Sequence, residues 1–340
     1  MLKLECHINI INKDSASITL DYCNSIEVKT STKNLTDTAV VYIPRKISWK
    51  DKPLTDYINR GDKIELKFGY AEHGIETMFK GYIKSIENSF PIKIECENEM
   101  YLFKKINVEP KVYDFFDLQS FLREYNPDVK VEYVGDTPAF GKFTVVNEMT
   151  LSEALDKIME AFPYISGYFQ NNKFICQLAS VASIGRETIT VDPERNIISD
   201  SLTYIREEDI KIGVKAICIK PDNSRLVAYY PDSAFGAASS GGDKTIKSGY
   251  ELRTQYCTTA TDLNVLREWA QERAKMLIQE RMEGSITMFG VPLVWKGDNI
   301  TFNDNYRKER TGKRFFVESV DYKFSNAGLR QNVTLGFRIL

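Results

Sequence analysis

A chain of 340 residues and 39.0 kDa exceeds what one hydrophobic core usually holds, because single cores stop growing near ~250–300 residues. Two or three domains are therefore expected. With 45 basic against 47 acidic side chains and a formal charge of −2, the chain has no global field to hold DNA or an anionic membrane surface as its main task.

The opening stretch "MLKLECHINIINKD" is broken by Glu5, His7 and Asn9 and has no small-residue cleavage site, so it is read as a first strand and not as a signal peptide. Up to about residue 106 the chain reads as β. Runs such as "SITLDYCNSIEVKT", "DTAVVYIP", "KIELKFGY", "TMFKGYIKSIE" and "PIKIECE" are rich in Ile, Val, Tyr and Phe and are punctuated by Asn, Asp, Gly and Pro. Such spacing suits a small barrel or sandwich. Between them, Pro53, Leu54, Tyr57 and Ile58 followed by Gly61 predict a short helix capped by a left-handed glycine. The triplet Arg60-Gly61-Asp62 is then a junction between that helix and a strand. An adhesion signal would need an exposed flexible loop.

From about 107 to 185 the pattern turns mixed α/β. Phe115, Leu118, Phe121 and Leu122 form one predicted helical stripe. A second helix is predicted from Thr150, where Thr150 and Glu153 make a capping box ahead of Leu151, Ala154, Leu155, Ile158, Met159 and Phe162. "YFQNNKFICQL" reads as a hairpin turning at Asn171-Asn172.

From about 186 strands return, in "ETITVD", "IISDSLTYIRE" and a pair joined through Pro221-Asp222-Asn223. The Gly/Ser-rich stretch 233–249 is expected to order only against a neighbour. A long helix near 262–282 is predicted to start at Thr261 or Asp262, bury Leu266, Trp269, Ala270, Ala274, Leu277 and Ile278, and end at Gly284. Further strands close the chain. No apolar run approaches the ~18 residues of a membrane span.

Gly61-Asp62 recurs as Gly297-Asp298, and Ile83 and Ile86 recur as Val317 and Val320; the offsets, 236 and 234, differ by two residues. Two related β modules would produce this echo. Two unrelated hairpins that share a Gly-Asp start would produce it equally well.

Candidate chemistry is sparse. Six dispersed cysteines without a CxxC pair are expected to be reduced thiols, mostly in cores. His7 and His73 are the chain's two histidines, too few for a His-based zinc site or a catalytic triad. In "FGAASSGGDKT", Gly242 and Asp243 separate Gly241 from Lys244, whereas a phosphate-binding loop places the lysine directly after the glycine. Glu95, Glu97 and Glu99 would share one face of a strand; a solvated face is the expectation, with cation binding or acid–base work the alternative. Trp49, Trp269 and Trp295 are candidates for stacking on sugars, Trp269 being placed in the core by its helical stripe. No catalytic, cofactor or metal residues are assigned, and the chain is not expected to be an enzyme.

The opening module with "SITLDYCNSIEVKTSTKNLTDTAVVYIPRK", the strand starts "GDKIELKFGY" and "FKGYIKSIE" (Phe79, Gly81, Ile83, Ile86), the α/β middle and the closing "FFVESVDYKFSNAGLRQNVTLGFRIL" together resemble bacteriophage tail baseplate hub proteins. These are the late control protein D and Mu-type 43 kDa tail protein group, related to the hub part of type VI secretion spikes. The resemblance runs over nearly the whole chain. It implies a β-rich α+β fold with two similar β-barrel modules, at 1–106 and 186–340, around a middle α/β domain at 107–185. The second module would carry an inserted loop and helix at about 231–284, the helix packed on that barrel. It further implies a homotrimeric ring in the virion, assembled in the host cytoplasm. The ring would join a sixfold tail tube to a threefold spike and line a channel for DNA, without cofactor or membrane span. A hub of a contractile injection or type VI-like system is an alternative, and a β-rich glycan-binding or glycan-cleaving protein is an alternative of another class.

Overall fold

The computed structural model describes residues 3–13, 16–49, 52–134, 140–162, 165–170, 173–178, 187–220, 224–238, 243–257 and 260–339. Strands dominate. In the first module, β1 (Leu4–Ile11), β2 (Ser17–Leu20), β3 (Ser25–Ser31), β4 (Thr38–Ile43), β5 (Lys63–Tyr70), β6 (Gly74–Glu87) and β7 (Ile92–Glu97) pair antiparallel in the order β3-β4-β7-β6-β5-β1-β2. Alternation decides which face is buried, since successive side chains on a strand point to opposite sides. Ile8 and Ile10, Ile26 and Val28, Val41 and Ile43, Ile64 and Leu66, and Ile92 and Ile94 turn inward, none of them more than 2% exposed.

The middle region opens with a short helix α1 (Met100–Phe103), followed by α2 (Leu118–Tyr125) and α3 (Leu151–Ala161). They cover a mixed sheet in which β8 (Lys130–Val134) runs parallel, and β9 (Ile165–Gln170) antiparallel, to β10 (Lys173–Leu178). The expected hairpin is formed, and its turn residues 171–172 lie outside the described residues. The capping box is present, with Glu153 N–H donating to Thr150 Oγ1 at 3.3 Å and Thr150 N–H to Glu153 Oε2 at 2.8 Å. Phe116 centres this core, its ring 5.0–5.4 Å from those of Phe121, Phe140 and Phe143.

The last part contains β11 (Thr188–Val191), β12 (Ile197–Asp200), β13 (Ile212–Ile219), β14 (Arg225–Tyr230), β15 (Phe235–Ala238), β16 (Lys244–Ile246), β17 (Glu251–Tyr256), α4 (Leu263–Ile278), β18 (Ser285–Phe289), β19 (Asn299–Phe302), β20 (Arg314–Ser325) and β21 (Gly328–Ile339). The chain ends in the long β20–β21 hairpin, and β20 pairs antiparallel with β3, from Ser319↔Ser31 to Ser325↔Ser25. One sheet therefore runs β12-β18-β21-β20-β3-β4-β7-β6-β5-β1-β2 through both strand modules. Their inward residues merge into one core, from Cys6 to Leu335, while the middle region and the β13/β14/α4 region have cores of their own.

Five expectations are corrected. The helix predicted after Pro53 is a single 3₁₀ turn, Leu54–Asp56, because Pro53 at ψ 139° is extended and belongs to the short strand Lys52–Pro53. Phe115 precedes α2 and is 98% exposed, because Asp117 caps the helix by accepting from Ser120 N–H at 2.8 Å; Phe116 goes inward instead. The long helix stops at Ile278, where Gln279 turns extended at ψ 135°, and Gly284 lies beyond the next strand, Arg281–Glu283. Helix α4 packs on β13 and β14 and shares their core through Leu266, Ala270 and Ala274; its predicted place was on the second strand module. Within 233–249, β15 pairs with β16, and Ala234 and Phe235 are buried, so this part is ordered within the chain itself; residues 239–242 lie outside the described residues.

Candidate functional site

The two Gly-Asp corners fold alike. Gly61 adopts φ +92° and Gly297 φ +86°, values at which glycine is favoured because it has no Cβ. Gly61 N–H donates to Ile83 C=O at 2.8 Å and receives a counterpart one residue on, Ile83 N–H to Asp62 C=O at 2.9 Å; Gly297 N–H and Val317 C=O, with Val317 N–H and Asp298 C=O, repeat this at 2.9 and 2.9 Å. Each aspartate closes its own turn through the side chain. Asn59 N–H donates to Asp62 Oδ2 at 2.6 Å, and Trp295 N–H to Asp298 Oδ2 at 2.8 Å. Each glycine also faces a tyrosine hydroxyl: a Cβ at 61 would lie 3.3 Å from Tyr101 Oη, and one at 297 only 2.6 Å from Tyr168 Oη.

This geometry resolves the Arg-Gly-Asp triplet. Asp62 is 1% exposed and bonded into its own turn, so the carboxylate that an adhesion receptor would need is inside the fold. Ile83 and Val317, aligned from sequence, are the residues that close the two corners.

Beside the second corner, Lys296 reaches into the first module. Its Nζ lies 2.5 Å from Asp37 Oδ2, with the two side chains 4% and 10% exposed, and 3.3 Å from Ser31 C=O. The ammonium also sits 5.2 Å from the centroid of the Tyr168 ring, contributed by the middle region. Burial outweighs mutual attraction here, raising the Asp37 carboxyl above its usual range and lowering the Lys296 ammonium below its own. Glu99 lines the same small cavity with Asp37, Lys296, Thr30 and Asn98. Burial, reinforced by the Asp37 carboxylate, pushes the Glu99 carboxyl up to about 7.

The rest of the seam is hydrogen bonds and aromatic packing. Thr30 Oγ1 donates to Val320 C=O at 3.0 Å, Thr32 Oγ1 to Glu318 C=O at 3.1 Å, and Leu329 N–H to Tyr70 Oη at 3.2 Å. The Phe68 and Phe324 rings meet across it at 5.2 Å. Gln331, fully buried, donates to Phe289 and Pro292 C=O and accepts from Val294 N–H, each at 2.8 Å.

The candidate carboxylates are not brought together. Glu95 bonds Ser85 and Lys93, Glu97 is held by Lys84 and Lys104 at 2.6 and 2.8 Å, and Glu99 lies past the end of the strand. Among the described residues, no group of three or more His, Cys, Asp or Glu side chains could hold a metal ion. Lys244 pairs with Asp232 at 3.1 Å. Trp49 stacks edge-on against Tyr57, Trp269 packs against the α4 core, and Trp295 lies against Tyr322. Sequence reasoning missed Asp37, Lys296 and the buried Arg310, which Asp304 and Asp200 hold from two sides. No helix among the described residues is long and apolar enough to cross a membrane.

No protein-family model matches the sequence, and no curated protein does. Solved structures match it in fold along nearly its whole length. A tail protein from Neisseria meningitidis is similar with a TM-score of 0.68 at 13% identity, covering 97% of this chain and 96% of that one. The 43 kDa tail protein of prophage MuSo2 from Shewanella oneidensis gives 0.64 at 11%, covering 97% of each. A component of the Escherichia coli type VI secretion system, described as structurally similar to bacteriophage T4 tail proteins, gives 0.53 at 10% over 98% of this chain and 76% of that one. The chain thus has the β-rich fold of phage tail proteins, as the resemblance implied.

Proposed function

We propose that this chain is the structural hub of a phage tail baseplate. In this reading three copies form a ring, and each contributes two similar strand modules, at 1–106 and 186–340, with 107–185 as the middle domain. Six similar modules then face a sixfold tail tube, while the threefold arrangement of chains receives a spike on the other side. The ring lines the channel through which DNA passes. The protein works as a virion component assembled in the host cytoplasm, and its task is mechanical, with no chemical step assigned to it.

The observation that carries this reading is the repeated corner, Gly61-Asp62 closed by Ile83 and Gly297-Asp298 closed by Val317, with matching hydrogen bonds and matching left-handed glycines. A threefold assembly meets a sixfold partner when each chain offers two equivalent surfaces. The buried Asp37–Lys296 pair and the shared sheet fix the two modules relative to each other, as a rigid adaptor requires. Likeness to phage tail proteins over nearly the full chain supports the setting.

A second reading places the same ring in a contractile injection or type VI-like system, and it is favoured by the shared fold with the Escherichia coli secretion component. Light scattering over a range of concentrations tests both. A solution mass near 117 kDa, three times 39.0 kDa, is expected, followed by a ring with six similar lobes in electron micrographs. A 39.0 kDa species at every concentration, with and without tube and spike proteins, would remove the hub reading. Binding to a phage tube protein but not to a secretion-system tube protein decides between the two settings.

A further inference from the structure

Cys6 and Cys23 are not joined by a disulfide, and they are neighbours. Cys6 Sγ lies 3.9 Å from Cys23 Sγ, a contact of unbonded sulfurs that needs a further approach to ~2.05 Å to become a bond. Cys6 faces inward from β1, and the antiparallel register Ile8↔Leu20 brings the chain after β2 back alongside it. His7, on the opposite face of β1, bonds Asp21 Oδ1 through Nδ1 at 2.7 Å. The segment at 21–23 is thus tied to β1 on both faces, and it belongs to no strand. Irregular backbone of this kind adjusts more readily than a paired strand when two sulfurs close on each other.

Access differs between the two thiols. Cys23 is half-buried and open to a small oxidant, whereas Cys6 is 5% exposed and reached through Cys23. We propose that Cys6 and Cys23 form an oxidisable dithiol, a modification site that closes to an intramolecular disulfide by exchange with soluble low-molecular-weight disulfides.

The exchange balances in two steps. The Cys6 contact and burial hold the Cys23 thiol protonated, so Cys23 loses that proton to solvent before its sulfur attacks one sulfur of oxidised glutathione, forming a mixed disulfide and expelling one glutathione thiolate. The Cys6 thiolate then attacks the Cys23 sulfur, forming the internal bond and expelling the second glutathione. The protein loses two electrons, oxidised glutathione gains them, and the two thiol protons end on the released glutathiones. The cross-link joins β1 to the chain leading directly into β3, the strand that pairs with β20 across the seam.

The test incubates the full chain with graded mixtures of oxidised and reduced glutathione, quenches with N-ethylmaleimide, and maps peptides by mass spectrometry. The expected result is a linked Cys6–Cys23 peptide and an intact mass lower by two hydrogens. A urea midpoint that rises on oxidation and returns with dithiothreitol completes it. Cys6→Ser should stop at the glutathione adduct on Cys23, and Cys23→Ser should yield no link. Full maleimide labelling of both cysteines across the range would overturn the proposal. So would cross-links that join other cysteines as readily.

Discussion

Lys296 Nζ and Asp37 Oδ2, 2.5 Å apart and 259 residues distant in sequence, form a buried ion pair that fastens the last part of the chain to the first. Lys296 also meets the Ser31 carbonyl and the Tyr168 ring, and Asp37 Oδ1 accepts from Ser31 N–H at 3.2 Å. With the side chains 4% and 10% exposed, neither charge has bulk water as a ready substitute partner. Removing one partner leaves the other as an uncompensated buried charge, whereas removing both leaves an apolar gap.

Asp37→Ala or Lys296→Met alone is therefore expected to cost about 3–5 kcal/mol of unfolding free energy. A double replacement with apolar residues of similar volume should recover much of that loss. Urea denaturation of the four proteins in a double-mutant cycle measures it, and additive single effects would show that the pair is not coupled.

The two glycine corners should differ in tolerance. Alanine at either site meets the left-handed penalty of roughly 1–2 kcal/mol. At 297 it also meets Tyr168 Oη at 2.6 Å, against 3.3 Å to Tyr101 Oη at 61. Gly297→Ala is expected to lower the melting temperature more than Gly61→Ala, and Tyr168→Phe should relieve Gly297→Ala in part. Calorimetry of the three single variants and the double variant checks the order.

Glu99 gives a pH dependence with a definite sign. Its carboxyl is raised from the usual 4.5 to about 7 by burial, so the folded state holds the proton more tightly than the unfolded chain. Its stabilising contribution is complete below 4.5 and is lost as pH rises through about 7. In Glu99→Gln the side chain stays neutral. The stability difference between wild type and variant should change across that window and be flat outside it, as read by urea midpoints at successive pH values.

The capping box of α3 isolates a local contribution. Thr150→Ala removes the hydroxyl that accepts from Glu153 N–H and should cost about 1 kcal/mol. Amide hydrogen exchange should then quicken first at the start of α3 and leave the shared strand core unchanged.

How much of this was legible in the sequence depends on distance along the chain. Strand alternation around Ile8, Val28, Val41 and Ile94 is local, and it marked the β regions. Thr150 and Glu153 are three residues apart, and they placed the start of α3. The Gly-Asp echo could be read because glycine at a positive φ and an aspartate that bonds its own turn are both required by the same corner. Asp37 and Lys296 drew no reading from the sequence, since nothing near either one along the chain announces the other. Phe115 is predicted in the helical stripe and Phe116 takes the inward place, because adjacent aromatics give no helical phase until the cap at Asp117 is known. The packing of α4 on β13 and β14 was hidden for the same reason as the ion pair: a helix stripe shows that a face is buried and not what buries it.

The β3–β20 pairing also sets an order of events at the ribosome. Ser25 meets Ser325 and Ser31 meets Ser319, so one edge of the first module is without its partner until almost the whole chain has been synthesised. The middle region draws its core mainly from residues close together in sequence and is free to fold meanwhile. During that interval β3 presents an unpaired edge, the kind that pairs with the wrong chain. Yield of native protein should therefore depend on translation speed and chaperone supply more than that of a chain whose strands pair only with sequence neighbours.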